Sequence, residues 1–154
     1  MKYEIVELTS KKIVGLSTKT TNEGGASGAV IGAMWGQFIG QEIYEQIKNK
    51  ANGGAIGLYT DYEGDATQPY RFMCCAEVTD YDNPDLEQGE IPKGTYAKFT
   101  VKGHMVDAVM AAWTAIWSMP LKRTYDCDFE YYHNDSPDMN QQTIDIYVSV
   151  AIDR

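Results

Sequence analysis

The sequence predicts an α+β fold of tandem pseudo-symmetric strand-helix-strand-strand units: a mostly antiparallel curved sheet with two helices on one face. Three observations predict it. Segments of period-two alternation far outnumber segments of helical spacing. The two helical segments each carry Trp and each lie between strands. The order strand, helix, strand, Pro-containing turn, strand occurs twice, in halves of about 1–80 and 93–154. So many strands against two helices cannot form a doubly wound parallel sheet, which alternates the two. At 154 residues, the whole chain (1–154) reads as a single domain.

The elements follow in order. Tyr3 to Leu8 is strand-like, and Lys12 to Thr20 is a β-branched strand. The Gly-rich stretch NEGGASG then breaks the pattern. From Ala29, residues Ile31, Trp35, Phe38, Ile43 and Ile47 keep helical spacing, with Gln37, Gln41, Glu45 and Lys48 on the other side. Asn52-Gly53-Gly54 predicts the helix stop. AIGLYTDYE is a strand, GDATQP a turn and YRFMCCAEV a strand. YDNPDLEQGEIPKG reads as a polar connection.

The second half opens with TYAKFTVKG, a strand. Val106, Val109, Met110, Trp113, Ile116 and Trp117 then follow helical spacing, with alanines between them and Pro120 just past the end. YDCDFEYYH is a strand, NDSPDMNQQ a turn and TIDIYVSVAI the last strand. Asp61-Tyr62-Glu63 reads as the counterpart of Asp128-Phe129-Glu130.

Composition narrows the function. A net charge of −9 and a pI near 4.6 argue against nucleic acid and against an anionic membrane surface, both of which need clustered Lys and Arg. Eleven tyrosines, four phenylalanines and three tryptophans exceed what a core absorbs easily, because a buried Tyr hydroxyl needs a partner. They predict an aromatic-lined pocket. Three cysteines, two adjacent, make a poor disulfide framework and suggest packed thiols in a reducing compartment. No signal peptide or membrane helix is visible, so a cytoplasmic protein is expected. His104 and His133 lack metal-ligand spacing, and no metal or cofactor is expected.

Alternation sorts the last two strands. Ile144, Ile146, Val148, Val150 and Ile152 point one way, a dry face. Asp145, Tyr147, Ser149 and Ala151 point the other, a face with room for a ligand. On the preceding strand, Asp128, Glu130 and Tyr132 oppose Cys127, Phe129 and Tyr131. Glu130 is either solvated on an open face or enclosed by aromatics. If enclosed, its pKa rises and it attracts a cation, aided by cation–π contacts of about 0.5–2 kcal/mol each. Such a carboxyl could also act as a general acid or base. Glu63, followed by a turn, is expected to be exposed.

The segments KKIVGLSTKT, IGAMWGQF, IGLYTDYE, PYRF, IPKGTYAKFTVKG, AWTAIW, DFEYY and IDIYVSV, in this order, resemble the GyrI-like small-molecule-binding family. This is also the AraC-type effector-binding domain of multidrug-sensing activators. The resemblance covers essentially the whole chain. It implies a cleft between the halves, with Glu130 as its charge and Tyr147 as a pocket Tyr on the last strand. It also implies a second-helix Trp, Trp113 before Trp117, with Tyr59 as a further wall. Trp35 joins them through the pseudo-symmetry.

The resemblance implies an amphipathic, cationic small molecule as partner. Its alternatives are hydrolysis of a cyclopropane-type electrophile by Glu130, or interaction with a protein such as gyrase or a separate regulator. Activators of the family carry a helix-turn-helix region before this domain. Here MKYEIVEL begins at the first strand, so no direct nucleic-acid contact is expected.

Overall fold

The computed structural model describes residues 2–21, 26–64, 68–134, 136–138 and 140–151. Part of the Gly-rich stretch, part of the first Pro-containing turn and Ile152 lie outside them. Eight antiparallel strands form one sheet, ordered β1-β6-β8-β7-β3-β4-β2-β5. The strands are β1 (Glu4–Leu8), β2 (Lys11–Thr20), β3 (Ala55–Thr60), β4 (Tyr70–Val78), β5 (Glu87–Ile91), β6 (Gly94–Gly103), β7 (Arg123–Tyr132) and β8 (Gln142–Val150). The helices are α1 (Ala26–Gly40), α2 (Ile43–Gln46) and α3 (Asp107–Trp117).

The strand order makes the curvature obligatory. β5 and β6 are joined through Pro92 and Lys93 alone, yet β5 is one edge of the sheet and β6 lies beside the other. β1 and β2 are joined through Thr9 and Ser10 alone, and they too sit near opposite edges. Links this short span about 10 Å at most. The two edges must therefore curl towards each other. The inside of the curl is filled from both edges and the centre: Ile13, Ile91 and Tyr96 join Leu58, Met73 and Phe129 in one buried cluster.

The other face carries the helices. α3 packs Val109, Ala112, Trp113 and Ile116 onto Ile144, Ile146 and Val148 of β8. α1 sinks Phe38 among Val14, Phe72 and Cys74. Its four glycines cost the helix about 0.5–1 kcal/mol each relative to Ala. Phe38, fully buried, returns about 1.5–3 kcal/mol and offsets much of that cost. Cys74 and Cys75 alternate between the two cores, and all three cysteines are free and buried. Burial pushes all three thiols up, leaving them protonated packing groups.

Three details differ from the sequence reading. The first helix ends at Gly40, where Glu42 takes a left-handed φ of 56°, and α2 restarts as a single turn. Ile47 is already extended and buries itself in the core of α1. Asn52-Gly53-Gly54 therefore follows a loop and not a helix. The polar connection contains β5, whose alternation is masked by Glu87, Gln88 and Glu90. These residues suit an edge strand, where only Ile91 faces the core.

The third difference concerns the internal symmetry. β2 and β6 both have ten residues, and β4 and β8 both have nine. Matched end to end, the pair Gly15–Cys75 corresponds to Lys98–Tyr147. The β3 partner of Cys75 is Ile56, and the β7 partner of Tyr147 is Phe129. Gly57 is thus the counterpart of Glu130, and Tyr59 that of Tyr132. The Asp61-Tyr62-Glu63 echo is out of register with the fold. Glu63 is exposed and pairs with Lys19.

Candidate ligand cleft

The site forms where the two halves meet. β3 and β7 pair along the seam, and α1 and α3 stand over it on the same face of the sheet. Between them lies a cavity of about 590 Å³. Small-molecule sites span roughly 300–1,000 Å³. Its floor is Tyr59, Glu130 and Tyr132. One wall is α1, through Ile31, Trp35 and the glycines Gly28, Gly32 and Gly36. The other is α3, through Val109, Met110 and Trp113, with Trp117 at the rim, 58% exposed.

Glu130 is 2% exposed, so its desolvation must be offset. Three side chains donate to it. Tyr59 Oη donates to Oε2 at 2.6 Å, and Trp113 Nε1 donates to the same oxygen at 3.0 Å. Tyr132 Oη donates to Oε1 at 2.7 Å. Tyr59 and Tyr132 are symmetry counterparts, and each takes one carboxylate oxygen. Each is braced edge-on by the Trp from the other half: Trp113 against Tyr59 at 5.7 Å, and Trp35 against Tyr132 at 5.3 Å. Burial raises the carboxyl above its ordinary 4.5, and the three donors partly oppose that rise. The same burial, together with the adjacent Glu130, holds both tyrosine hydroxyls well above 10 and so protonated. No Lys, Arg or His bonds Glu130 among the described residues.

A second carboxylate lies nearby and is fully compensated. Asp128, 0% exposed, accepts from Tyr62 Oη and from Arg123 Nη2, both at 2.6 Å, and from the backbone of Ser149 at 3.0 Å. Arg123 also lies over the rings of Tyr125 and Trp113, at 4.5 and 5.8 Å. Arg123 and Tyr62 both line the cavity. Of the two ionisable acid or base side chains among the described residues that line it, Arg123 and Glu130, Glu130 is the one without an oppositely charged partner.

The Arg123–Asp128 pair escaped the sequence reading because five residues separate its members. On a regular strand they would point to opposite faces. A bulge between them, with Tyr125 at φ 55°, resets the alternation and brings them to one face. Strand parity gives no signal of such a bulge.

Tyr147 requires a correction. The register pairs Phe129 with Tyr147 and Glu130 with Ile146. Tyr147 therefore points away from the cleft, into the curl, and stacks on Phe129 with ring centroids 4.5 Å apart. The isoleucine face of β8 is the dry core that its alternation predicts: Ile144, Ile146 and Val148 pack under α3, on the same side of the sheet as the cleft. Glu130, Trp113, Tyr59 and Trp35 converge on the cavity, Trp117 edges it, and Tyr147 does not reach it.

A duplicated antiparallel sheet with an aromatic cleft over a buried carboxylate defines a small-molecule-binding domain by both its fold and its site. The chain belongs to the GyrI-like small-molecule-binding domain family, whose profile it matches over residues 1–152. It is 27% identical over 157 residues to YobU of Bacillus subtilis (strain 168), provisionally named a transcriptional regulator protein, covering 95% of this chain and 96% of that one. An integron cassette protein from Vibrio cholerae superposes with a TM-score of 0.78 at 27% identity, over 97% of this chain and 95% of that one. The structure of SAV2435 bound to tetraphenylphosphonium superposes with a TM-score of 0.80 at 19% identity, over 98% and 94%. No described helix is long and apolar enough to cross a membrane.

Proposed function

We propose that the chain binds lipophilic monocations, with the positive charge seated against Glu130 and the apolar body between α1 and α3. One observation carries the reading: a carboxyl group buried at 2% exposure, held by three donors and bonded to no Lys, Arg or His among the described residues. A buried charge needs an opposite charge, and a bound cation supplies it. Since Asp128 already neutralises Arg123, an ionised Glu130 gives the cleft one net negative charge. The structurally similar SAV2435 holds tetraphenylphosphonium, a cation of this class.

The raised pKa of Glu130 would also suit a general acid acting on an electrophile. Binding is favoured because Arg123 and Asp128, the nearest other charged pair, are committed to each other. The test is a titration with tetraphenylphosphonium, followed by the fluorescence of Trp35 and Trp113. Wild type should saturate, and Glu130→Gln should weaken binding by about tenfold or more, the loss expected for a desolvated charge pair. Equal affinity of the two proteins removes Glu130 from the reading.

A further inference from the structure

The two walls of the cleft are symmetry counterparts with opposite content. Trp35 and Trp113 set the correspondence, since each braces the Tyr of the other half. Counting along both helices from these residues, Gly28, Gly32 and Gly36 of α1 match Val106, the residue that opens α3, and Met110 and Thr114 within it. All six line the cavity. At these three matched positions one wall presents side chains and the other bare backbone, with Ile31, Trp35 and Ile39 standing between the glycines of α1 and beyond them.

Glycine within a helix weakens it, so a series of them needs a reason. The two ordinary reasons fail here. The helical glycines have no positive φ, since Gly103 alone among the described glycines has one. No close approach requires them either, because a Cβ at Gly28, Gly32 or Gly36 would meet nothing within 4 Å. Gly15 shows the contrast: there a Cβ would lie 1.9 Å from the Cys74 carbonyl oxygen. What the α1 glycines leave is space, and the space belongs to a cavity whose floor is a buried, uncompensated carboxylate. The same cavity is lined by Arg123, whose side chain is 9% exposed and whose Nε has no hydrogen-bond partner among the described residues.

Resting on the cation-binding reading above, we infer that the glycine face of α1 is the size-selecting wall of the cleft. It admits monocations whose charge carries a bulky ring system, and a ring lies flat against the bare backbone at Gly32 and Gly36. A side chain at Gly32 would fill this space without disturbing the fold, because the position is open and other residues favour helix more than glycine does.

The experiment compares two monocations, tetraphenylphosphonium and the smaller benzyltrimethylammonium, on wild type, Gly32→Leu, Gly40→Leu and Glu130→Gln. Gly40 continues the same stripe and has open space around it but does not line the cavity. Circular dichroism and thermal melting establish that each variant is folded. Gly32→Leu should lose about tenfold or more in affinity for tetraphenylphosphonium and keep benzyltrimethylammonium within about twofold, because overfilling penalises only the larger guest. Gly40→Leu should match wild type. Unchanged tetraphenylphosphonium affinity in folded Gly32→Leu overturns the inference, as does an equal loss of both probes. A wild type that binds neither cation, or a Glu130→Gln that binds both normally, defeats the underlying reading instead. If Gly32→Leu fails to fold, Gly36→Ala answers the same question with the smallest side chain, and no loss of the larger probe there counts against the proposal.

Discussion

Gly57 and Glu130 face each other directly across the β3–β7 seam, and they are the same position of the two halves. The pseudo-dyad therefore passes between them. Two carboxylates there would repel at close range in a dry site. The fold instead carries one Glu and one Gly. A methyl group on Gly57 would stand 3.3 Å from Glu130 Oε1 and 3.2 Å from Trp35 Cζ2. The first prediction follows from this crowding. Gly57→Ala should cost about 1–3 kcal/mol of stability, the usual penalty for overpacking, and weaken cation binding. Urea denaturation and the fluorescence titration read the two effects. A variant with wild-type values in both would mean that Glu130 does not need this clearance.

The second prediction concerns pH. Burial raises the Glu130 carboxyl above 4.5 in the folded state. Between the unfolded and folded values the native chain holds a proton that the unfolded chain has released. The resulting stabilisation is full below 4.5 and is lost as pH rises through the folded value. Glu130→Gln cannot titrate. Its stability relative to wild type should therefore rise with pH across this window. Cation affinity of wild type should also rise over the same window, because the carboxylate attracts the ligand and the acid does not. Parallel stability profiles for the two proteins would refute the assignment.

A third prediction separates the two faces of the sheet. Tyr59→Phe removes one of three donors to a buried carboxylate and should cost about 1–3 kcal/mol, shared between folding and cation affinity. Tyr147→Phe alters only the far face and should leave cation affinity unchanged. Spectrophotometric titration supplies an independent check on Tyr147. Burial raises its hydroxyl to about 12, so the variant should lose a tyrosine ionising near that value. Reduced affinity in Tyr147→Phe would place it functionally in the cleft.

The fourth prediction addresses the buried pair. Arg123→Met strands Asp128, which is fully buried, with only neutral donors. The loss should be about 3–5 kcal/mol in urea denaturation. Arg123→Met combined with Asp128→Asn should recover much of it, because the stranded charge is gone. If the double variant is no more stable than the single, the pair does not act through mutual compensation.

The sequence by itself determined the long helices, every strand but β5, and the parity within the regular stretches of each. Helical spacing put Trp35 and Trp113 on the buried sides of their helices. Alternation put Asp128, Glu130 and Tyr132 on one face of β7, because side-chain direction in a strand is fixed by local geometry alone. Composition required that many tyrosine hydroxyls find partners, and Tyr59, Tyr62 and Tyr132 find carboxylates.

Only the tertiary structure decided how one strand's parity relates to the next. Register is a long-range property, and it sent Tyr147 into the curl and Ile146 into the core under α3, on the face it shares with Glu130. A bulge, invisible to periodicity, joined Arg123 to Asp128. The placing of β1 and β5 at opposite edges depends on two links of two residues each, which carry no signal of which edge their strands join. The true counterpart of Glu130 is a glycine with no side chain to betray it. Pairing across the seam identifies it, and that pairing exists only once the two halves have closed on each other.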